Sequence, residues 1–204
     1  MERIQRILDF WFEDLTDDKP VTPGQGAAKK WFKKSDDTDN EIRQKFEGDI
    51  IRARKRKYDA WMETPEGMLA LIIVLDQFSR NVYRDTPKAF ENDLKALEYA
   101  LLAIKKGFDK KVTMIQRQFI YMALMHAENL AVQKKCVEYF EDLLEEAEEK
   151  KSPAAGYFKN NLSYANRHYD IIKRFNRFPH RNEILGRKST AEEIEFLEQP
   201  GSSF

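Results

Sequence analysis

The chain has 204 residues, of which 42% are hydrophobic and 12% aromatic, enough to build one generous domain and too many for a disordered chain. Lysine plus arginine and aspartate plus glutamate each number 35, so no overall charge favours nucleic acid or an anionic membrane. The one cysteine, Cys136, excludes an intramolecular disulfide and a cysteine-based zinc finger. It shares an apolar helical row with Phe140, Leu143 and Ala147, which indicates an inert buried thiol.

The beginning of the chain does not have the pattern of a signal peptide. MERIQRILDFWFEDL carries charges through its apolar pattern and lacks the core of a signal peptide. The longest apolar run, MLALIIVL at 68–75, is far too short to cross a bilayer. We therefore expect a cytoplasmic protein with no membrane contact.

Proline and glycine mark where helices begin and where loops lie. DDKPVTPGQG opens a loop that we predict over 17–38. Threonine precedes proline at 64–65 and at 86–87, a pattern typical of a helix N-cap followed by a favourable first residue. Thr190 and Glu193 have the spacing of a capping box, which predicts a short helix near the end.

Apolar residues between these breaks recur at helical spacing, and strand alternation does not occur over a useful length. The pattern predicts an all-α fold, one compact multi-helix domain over 1–204, in which 176–204 forms a C-terminal loop, a short helix and a tail packed on the domain. Two buried stripes are predicted, one of Ile42, Phe46, Ile50 and Ala53, the other of Phe90, Leu94, Leu97, Leu101 and Ile104.

Polar side chains interrupt the apolar rows of three helices. Asp76, Gln77 and Arg80 end the helix that contains MLALIIVL, and His126 and His168 fall in the apolar rows of two later helices. Burying such a group without a partner costs about 1–3 kcal/mol, so these side chains should contact one another or a ligand. Two interpretations stay open: a core network that fixes helix register, and a pocket lined for a ligand.

The stretch RFNRFPHRNEILGR at 174–187 crowds arginines with a histidine and two phenylalanines. Arg177, His180, Arg181 and Asn182 lie close together here, and the planar guanidinium group suits carboxylate or phosphate. The stretch therefore predicts a site for a small anion. Alternatively, the arginines bind the last carbonyls of their helix, or the terminal carboxylate of the chain, and so latch the tail.

Other signatures of function are missing from the sequence. It contains no glycine-rich dinucleotide fingerprint, P-loop, HExxH or GxSxG motif. The three histidines and Asp76 lack the close spacing of a metal site, so we predict no metal and no cofactor. RARKRK at 52–57 fits a solvated helical face, which makes nucleic acid a poor candidate partner.

Long segments spread over almost the whole chain carry a family resemblance. They are ILDFWF at 7–12, KKWFKKSDDTDNEIRQKF at 29–46, LALIIVLDQFSRNVYRDTPKAFENDLKAL at 69–97, RQFIYMALMHAENLAVQ at 117–133 and YANRHYDIIKRFNRFPHRNEILGRKSTAEEIEFLEQPGSSF at 164–204. These segments resemble a bacterial family catalogued as domain of unknown function number nine-two-four. The resemblance implies a tetratricopeptide-like arrangement of helical hairpins without a tandem repeat signature, and it implies no established activity.

The resemblance has two local departures. The family usually has proline where Ser79 stands, and leucine-proline where Met122 and Ala123 stand. Helix geometry is expected to differ at these two places. The positions that match the family pattern are Asp76, Gln77, Arg80, Asn81, His126, Glu128, His168, His180, Arg181 and Asn182.

Two functions fit these patterns. In the first, a polar pocket between helices binds a small anionic molecule through Arg80 and Arg181, and His168 with Asp76 moves protons, as in an acid/base enzyme. In the second, the chain is an interaction scaffold whose groove accepts a partner protein or peptide, and the polar rows are structural. The candidate ligand-binding residues are Asp76, Gln77, Arg80, His126, His168, Arg177, His180, Arg181 and Asn182.

Overall fold

Helices and loops, without a strand, make up residues 1–203, the part of the chain that the computed structural model describes. This confirms the all-α fold class. A single π-helical turn, Val74–Phe78, joins the fourth helix to the fifth. The α-helices are α1 Glu2–Phe12, α2 Ala28–Phe32, α3 Asp36–Arg54, α4 Pro65–Ile73, α5 Ser79–Val82, α6 Asp93–Lys105, α7 Met114–Met125, α8 Leu130–Glu149, α9 Ala155–Phe175 and α10 Ala191–Leu197.

Two of the predicted helix starts are confirmed by their caps. The Thr64 hydroxyl accepts a hydrogen bond from a backbone N–H three residues later, and Thr190 forms a full capping box with Glu193. Thr86 behaves differently, because its hydroxyl donates to the Tyr83 carbonyl at 2.7 Å. Only a short 3₁₀ turn follows it.

The segment predicted as a loop over 17–38 is partly helical. It contains α2, and α3 already begins at Asp36. Trp31 explains the extra helix, because its buried indole N–H donates to the Trp11 carbonyl at 2.9 Å. Its ring also lies 5.0 Å from that of Phe119. A tertiary anchor thus orders a stretch in which local turn signals favoured a loop.

Helix α4 is the centre of the domain. Every residue from Gly67 to Ile73 is buried, and the helix packs against α1, α6 and α7. A helix that is apolar on all sides requires neighbours on all sides. The π-helical turn continues α4 through the interior, so the polar residues at its end are buried as well.

The two predicted stripes have opposite outcomes. Ile42, Phe46, Ile50 and Ala53 of α3 are all buried, as expected. The second stripe is wrong, since Leu94 is 83% exposed and Leu101 is 38% exposed.

The reason lies in the contacts of α6. This helix buries its alanines and one tyrosine against α4 and α7, because small side chains allow helices to approach closely. The leucines lie on the other side of the helix and therefore point outward. The buried residues of α6 are Ala96, Tyr99, Ala100 and Ala103.

The last long helices, α7, α8 and α9, pack on one another in chain order. Cys136 is buried on α8 with its predicted apolar neighbours, and burial raises the pKa of its thiol. Within residues 1–203, no helix has both the length and the apolar character needed to cross a membrane.

Candidate functional site

The polar site begins at the π-helical turn. This turn carries Asp76 and Gln77, both buried, into the space near the end of α7. Next to it, the Ser79 hydroxyl donates to the Val74 carbonyl at 3.4 Å, a reach of five residues that fits the wider turn. Single π-helical turns occur frequently at functional sites.

The Asp76 carboxylate is the hub of the buried polar contacts. Its Oδ1 lies 2.7 Å from His126 Nδ1 and 2.9 Å from Arg80 Nη1, and its Oδ2 accepts a hydrogen bond from Gln77 at 2.5 Å. Burial acts to raise the pKa of Asp76, but the charge of Arg80 and the contact with His126 outweigh it and hold that pKa below the usual range. Asp76 is therefore ionised.

The Asp76 contact determines the tautomer of His126. An ionised carboxylate can only accept, so His126 Nδ1 carries the proton and donates it to Asp76. Burial and the charge of Arg80 lower the pKa of His126, although Asp76 opposes them. The imidazole is therefore neutral, and its Nε2 keeps a free electron pair.

A second carboxylate, Asp93 at the start of α6, holds both arginines of the site. Arg80 donates to its two oxygens at 2.9 and 3.0 Å, and Arg181 donates Nη1 to Oδ2 at 3.2 Å. The Phe90 ring lies 5.7 Å from the Arg80 guanidinium and 4.7 Å from that of Arg181. This role of Asp93 could not be predicted from the sequence, because an aspartate at a helix start is commonplace.

Arg181 is only 5% exposed, yet it is poorly provided with acceptors. Its buried Nε has no hydrogen-bond partner among residues 1–203. Its guanidinium also lies 4.4 Å from the Phe178 ring. Burial, with the nearby charge of Arg80, lowers the pKa of Arg181 to about 10, so it stays charged at neutral pH.

Two further histidines border this group. His168 Nδ1 lies 2.8 Å from the Tyr164 carbonyl, so it donates, and the ring centre is 6.3 Å from that of His126. Burial, with the proximity of His126, keeps the pKa of His168 well below its usual value. Burial and the charge of Arg181 lower the pKa of His180 to about 4.

These side chains form one neutral group, which we call the arginine–histidine cluster. The positive charges of Arg80 and Arg181 balance the negative charges of Asp76 and Asp93, and the histidines are uncharged. Its members are Asp76, Arg80, Asp93, His126, His168, His180 and Arg181.

Glu128 positions the C-terminal turn that carries Arg181. Its Oε1 accepts the Phe178 backbone N–H at 2.8 Å, and both of its oxygens accept from Arg187 at 2.7 and 2.9 Å. Arg187 in turn donates to the Phe178 carbonyl. Sequence reasoning found Glu128 only as a match to the family pattern.

Two predicted ligand-binding residues lie in other contacts. Arg177 donates to both oxygens of Glu193, at 2.6 and 2.7 Å, and Asn182 donates to Ser189 at 3.0 Å and to Glu193 at 3.3 Å. These bonds tie α10 to the preceding turn. The predicted docking of the terminal carboxylate concerns Phe204, which lies outside the described residues.

The described residues contain no group of three side chains placed to hold a metal ion. An open cleft of about 560 Å³ lies elsewhere, near α3 and the end of α5, and none of its lining belongs to the cluster. The cleft is lined by Arg43, Glu47, Val82, Tyr83, Arg84, Thr86, Pro87, Lys88 and Glu91.

Fold and site together define an all-helical domain with a buried cluster of ion pairs and neutral histidines. A family model described as "Bacterial protein of unknown function (DUF924)" matches residues 7–201, so the chain belongs to this family. A solved structure, that of the protein of unknown function ATU0120 from Agrobacterium tumefaciens, is 34% identical, with 97% of each chain covered and a TM-score of 0.81. No curated protein matches the chain. The tetratricopeptide-like relationship stays a prediction.

Proposed function

We propose that the arginine–histidine cluster binds a small organic anion on Arg181, and that His126 takes up a proton when the anion binds. Such a site holds both a charge and a mobile proton, which are the requirements of an acid/base enzyme. The observation that carries this proposal is the Asp76–His126 hydrogen bond, together with the buried Nε of Arg181, which has no hydrogen-bond partner among residues 1–203.

The Asp76–His126 pair is suited to proton transfer. A buried carboxylate that receives Nδ1–H holds the imidazole in one orientation and leaves Nε2 as the base, the arrangement that general-base histidines use. From the sequence we predicted that Asp76 acts with His168 instead. His126 is the better candidate because its Nδ1 lies 2.7 Å from Asp76, whereas His168 Nδ1 bonds a carbonyl of its own helix.

Arg181 is the candidate anion holder. Arg80 already donates to Asp93 and pairs with Asp76, so its charge is compensated. Arg181 shares Asp93 through a single bond of 3.2 Å, and its Nε edge has no acceptor among residues 1–203. A buried donor without an acceptor costs free energy, and a bound carboxylate would recover it.

Proton uptake follows from the charge balance. The cluster is neutral before binding, so an anion adds one uncompensated negative charge to a buried region, which is unfavourable. A proton on His126 Nε2 would restore neutrality, with Asp76 on the other side of the ring to stabilise the imidazolium. The anion should therefore bind more tightly as the pH falls.

The test is calorimetric titration with acetate at pH 7 in two buffers of different ionisation enthalpy. We expect saturable binding with uptake of about one proton per acetate. Arg181→Met should abolish binding, and His126→Asn should abolish the uptake. Arg177→Met is the matched control and should behave as wild type, because Arg177 binds Glu193.

Absence of saturable binding to the wild type, or loss of binding in Arg177→Met but not in Arg181→Met, would overturn the proposal. Binding without proton uptake would remove the role of His126.

The second candidate function is the interaction scaffold, and the open cleft near α3 favours it. Arg43, Arg84 and Lys88 face this cleft together with Glu47 and Glu91, so it offers both charges to a partner peptide. In that case the arginine–histidine cluster is structural. Arg181→Met and His126→Asn would then lose several kcal/mol of stability, and no small anion would bind.

A further inference from the structure

We infer that the anion is an apolar monocarboxylic acid, whose carboxylate binds Arg181 and whose hydrocarbon arm lies along the exposed leucines of α6. This inference rests on the proposed function and names its ligand class.

The exposed leucines of α6 form a row. Leu94 is 83% exposed, Leu97 is half-buried and Leu101 is 38% exposed. Residues at i, i+3 and i+7 share one face of a helix. Isolated exposed leucines are common on protein surfaces. Here the alanines of α6 face the core, so the three leucines form an apolar strip on the outside of the domain.

The row begins at the arginine–histidine cluster. Leu94 directly follows Asp93, which binds both arginines, and Phe90, which precedes α6, lies 4.7 Å from the Arg181 guanidinium. Seven residues separate Leu94 from Leu101, which corresponds to about 10 Å along the helix. In the proposed complex, the charged end of the ligand binds Arg181 and its apolar arm lies over these side chains.

Charge favours a carboxylate over a phosphate. The cluster balances two positive and two negative charges, so a dianion would leave more uncompensated charge than a single proton can offset. The Nε edge of Arg181 is planar, and a carboxylate matches the two parallel hydrogen bonds that such an edge offers. A monoanion with a flat head group is the best fit.

The experiment measures dissociation constants of acetate, butanoate, hexanoate, octanoate and inorganic phosphate for the full-length chain. A methylene that is buried on one side only, against the leucines, should improve affinity about twofold. Octanoate should therefore bind at least about tenfold more tightly than butanoate. Leu94→Ser should weaken octanoate about fivefold and leave acetate unchanged. Leu130→Ser is the matched control, at a leucine that is 40% exposed at the start of α8. It should change neither the affinity for octanoate nor that for acetate.

The outcomes separate this inference from the proposed function. Equal affinity for acetate and octanoate, both dependent on Arg181, would overturn the apolar arm and leave the proposed site intact. Tighter binding of phosphate than of octanoate would overturn the carboxylate class. An equal loss of octanoate affinity in Leu94→Ser and Leu130→Ser would show unspecific adsorption, and so would octanoate binding that survives Arg181→Met. Either result would overturn the inference. If no anion binds the wild type, both proposals fail.

Discussion

Two arginines in this domain are almost equally buried, and their surroundings differ sharply. Arg117 is 4% exposed, and Arg181 is 5% exposed. Arg117 donates Nε to the Asp109 carbonyl at 2.9 Å and both terminal nitrogens to Glu146. Arg181 donates one bond of 3.2 Å to Asp93, and its Nε has no acceptor among residues 1–203.

The difference separates a structural arginine from a candidate binding arginine. Arg117 joins α7 to α8 and completes its hydrogen bonds within the fold. Asp93 would stay paired with Arg80 if Arg181 were absent, so the fold does not depend on Arg181 for that carboxylate. A buried charge that the fold does not need to pair this carboxylate is consistent with retention for function.

The same contrast divides the polar row of α9. Tyr157 and Asn161 both donate to the Gln118 side-chain oxygen at 2.7 Å, and Gln118 donates to the Ile115 carbonyl. This half of the row is a neutral, well-bonded network that joins α7 to α9. His168, two turns later, belongs to the arginine–histidine cluster instead.

The largest expected effect is on the structural arginine. Arg117→Met removes both bonds to Glu146, which then keeps only its contacts with the exposed Lys150 and Lys110, and it leaves the Asp109 carbonyl without the Arg117 donor. We therefore expect a loss of about 3 kcal/mol in the free energy of unfolding. Urea denaturation measures it. Arg177→Met, at a partly exposed ion pair, should cost less than Arg117→Met. A loss below about 1 kcal/mol in Arg117→Met would remove the contrast between the two arginines.

The neutral histidines of the cluster predict that the stability of the fold depends on pH. The folded pKa of His180 is about 4, below its ordinary value of 6.5, so the unfolded chain binds more protons between these values. Stability should therefore decrease as the pH falls from about 6.5 towards 4, by about 2 kcal/mol for this residue alone.

Thermal unfolding at a series of pH values, wild type against His180→Gln, isolates that contribution, because the titrating carboxylates are common to both. The decrease should be shallower in the variant. If stability fell equally with pH in the wild type and in His180→Gln, this would contradict a depressed pKa for His180 and weaken the evidence for a neutral cluster.

Glu128 tests how the binding arginine is positioned. Glu128→Ala removes the acceptor of the Phe178 N–H and both bonds to Arg187, and we expect a loss of about 1.5 kcal/mol. Anion affinity should fall as well, since the turn that carries Arg181 loses its anchor. Glu128→Gln retains an acceptor and should therefore recover part of the stability and part of the anion affinity. An affinity that stays at the wild-type value in Glu128→Ala would show that the turn holds its position without this anchor.

The smallest stability effect is expected at the candidate binding arginine. Arg181→Met removes one bond to Asp93, which keeps both of its bonds to Arg80. A proton on His126 can offset the lost positive charge, so the free energy of unfolding should stay within about 1 kcal/mol of wild type. The same urea denaturation measures this variant. A loss as large as that of Arg117→Met would make Arg181 structural and favour the scaffold function.

Local patterns predicted most of the fold. The stripe of α3 and the cap at Thr64 depend on residues a few positions apart, and both were predicted correctly. The stripe of α6 was not, because leucine and alanine both satisfy an apolar pattern. Which of them faces the core depends on how closely the neighbouring helices approach.

The sequence by itself determined that the chain is all-helical, that polar residues interrupt its apolar rows, and that arginines gather on both sides of Pro179. The tertiary structure decided which of these residues meet. Asp93 and Arg181 lie 88 positions apart, and Asp76 and His126 lie 50 apart. Helical periodicity repeats within a few residues and carries no information about such pairings. They arise only when the packing of α4, α6 and α7 and the docking of the C-terminal turn bring distant side chains within hydrogen-bond distance.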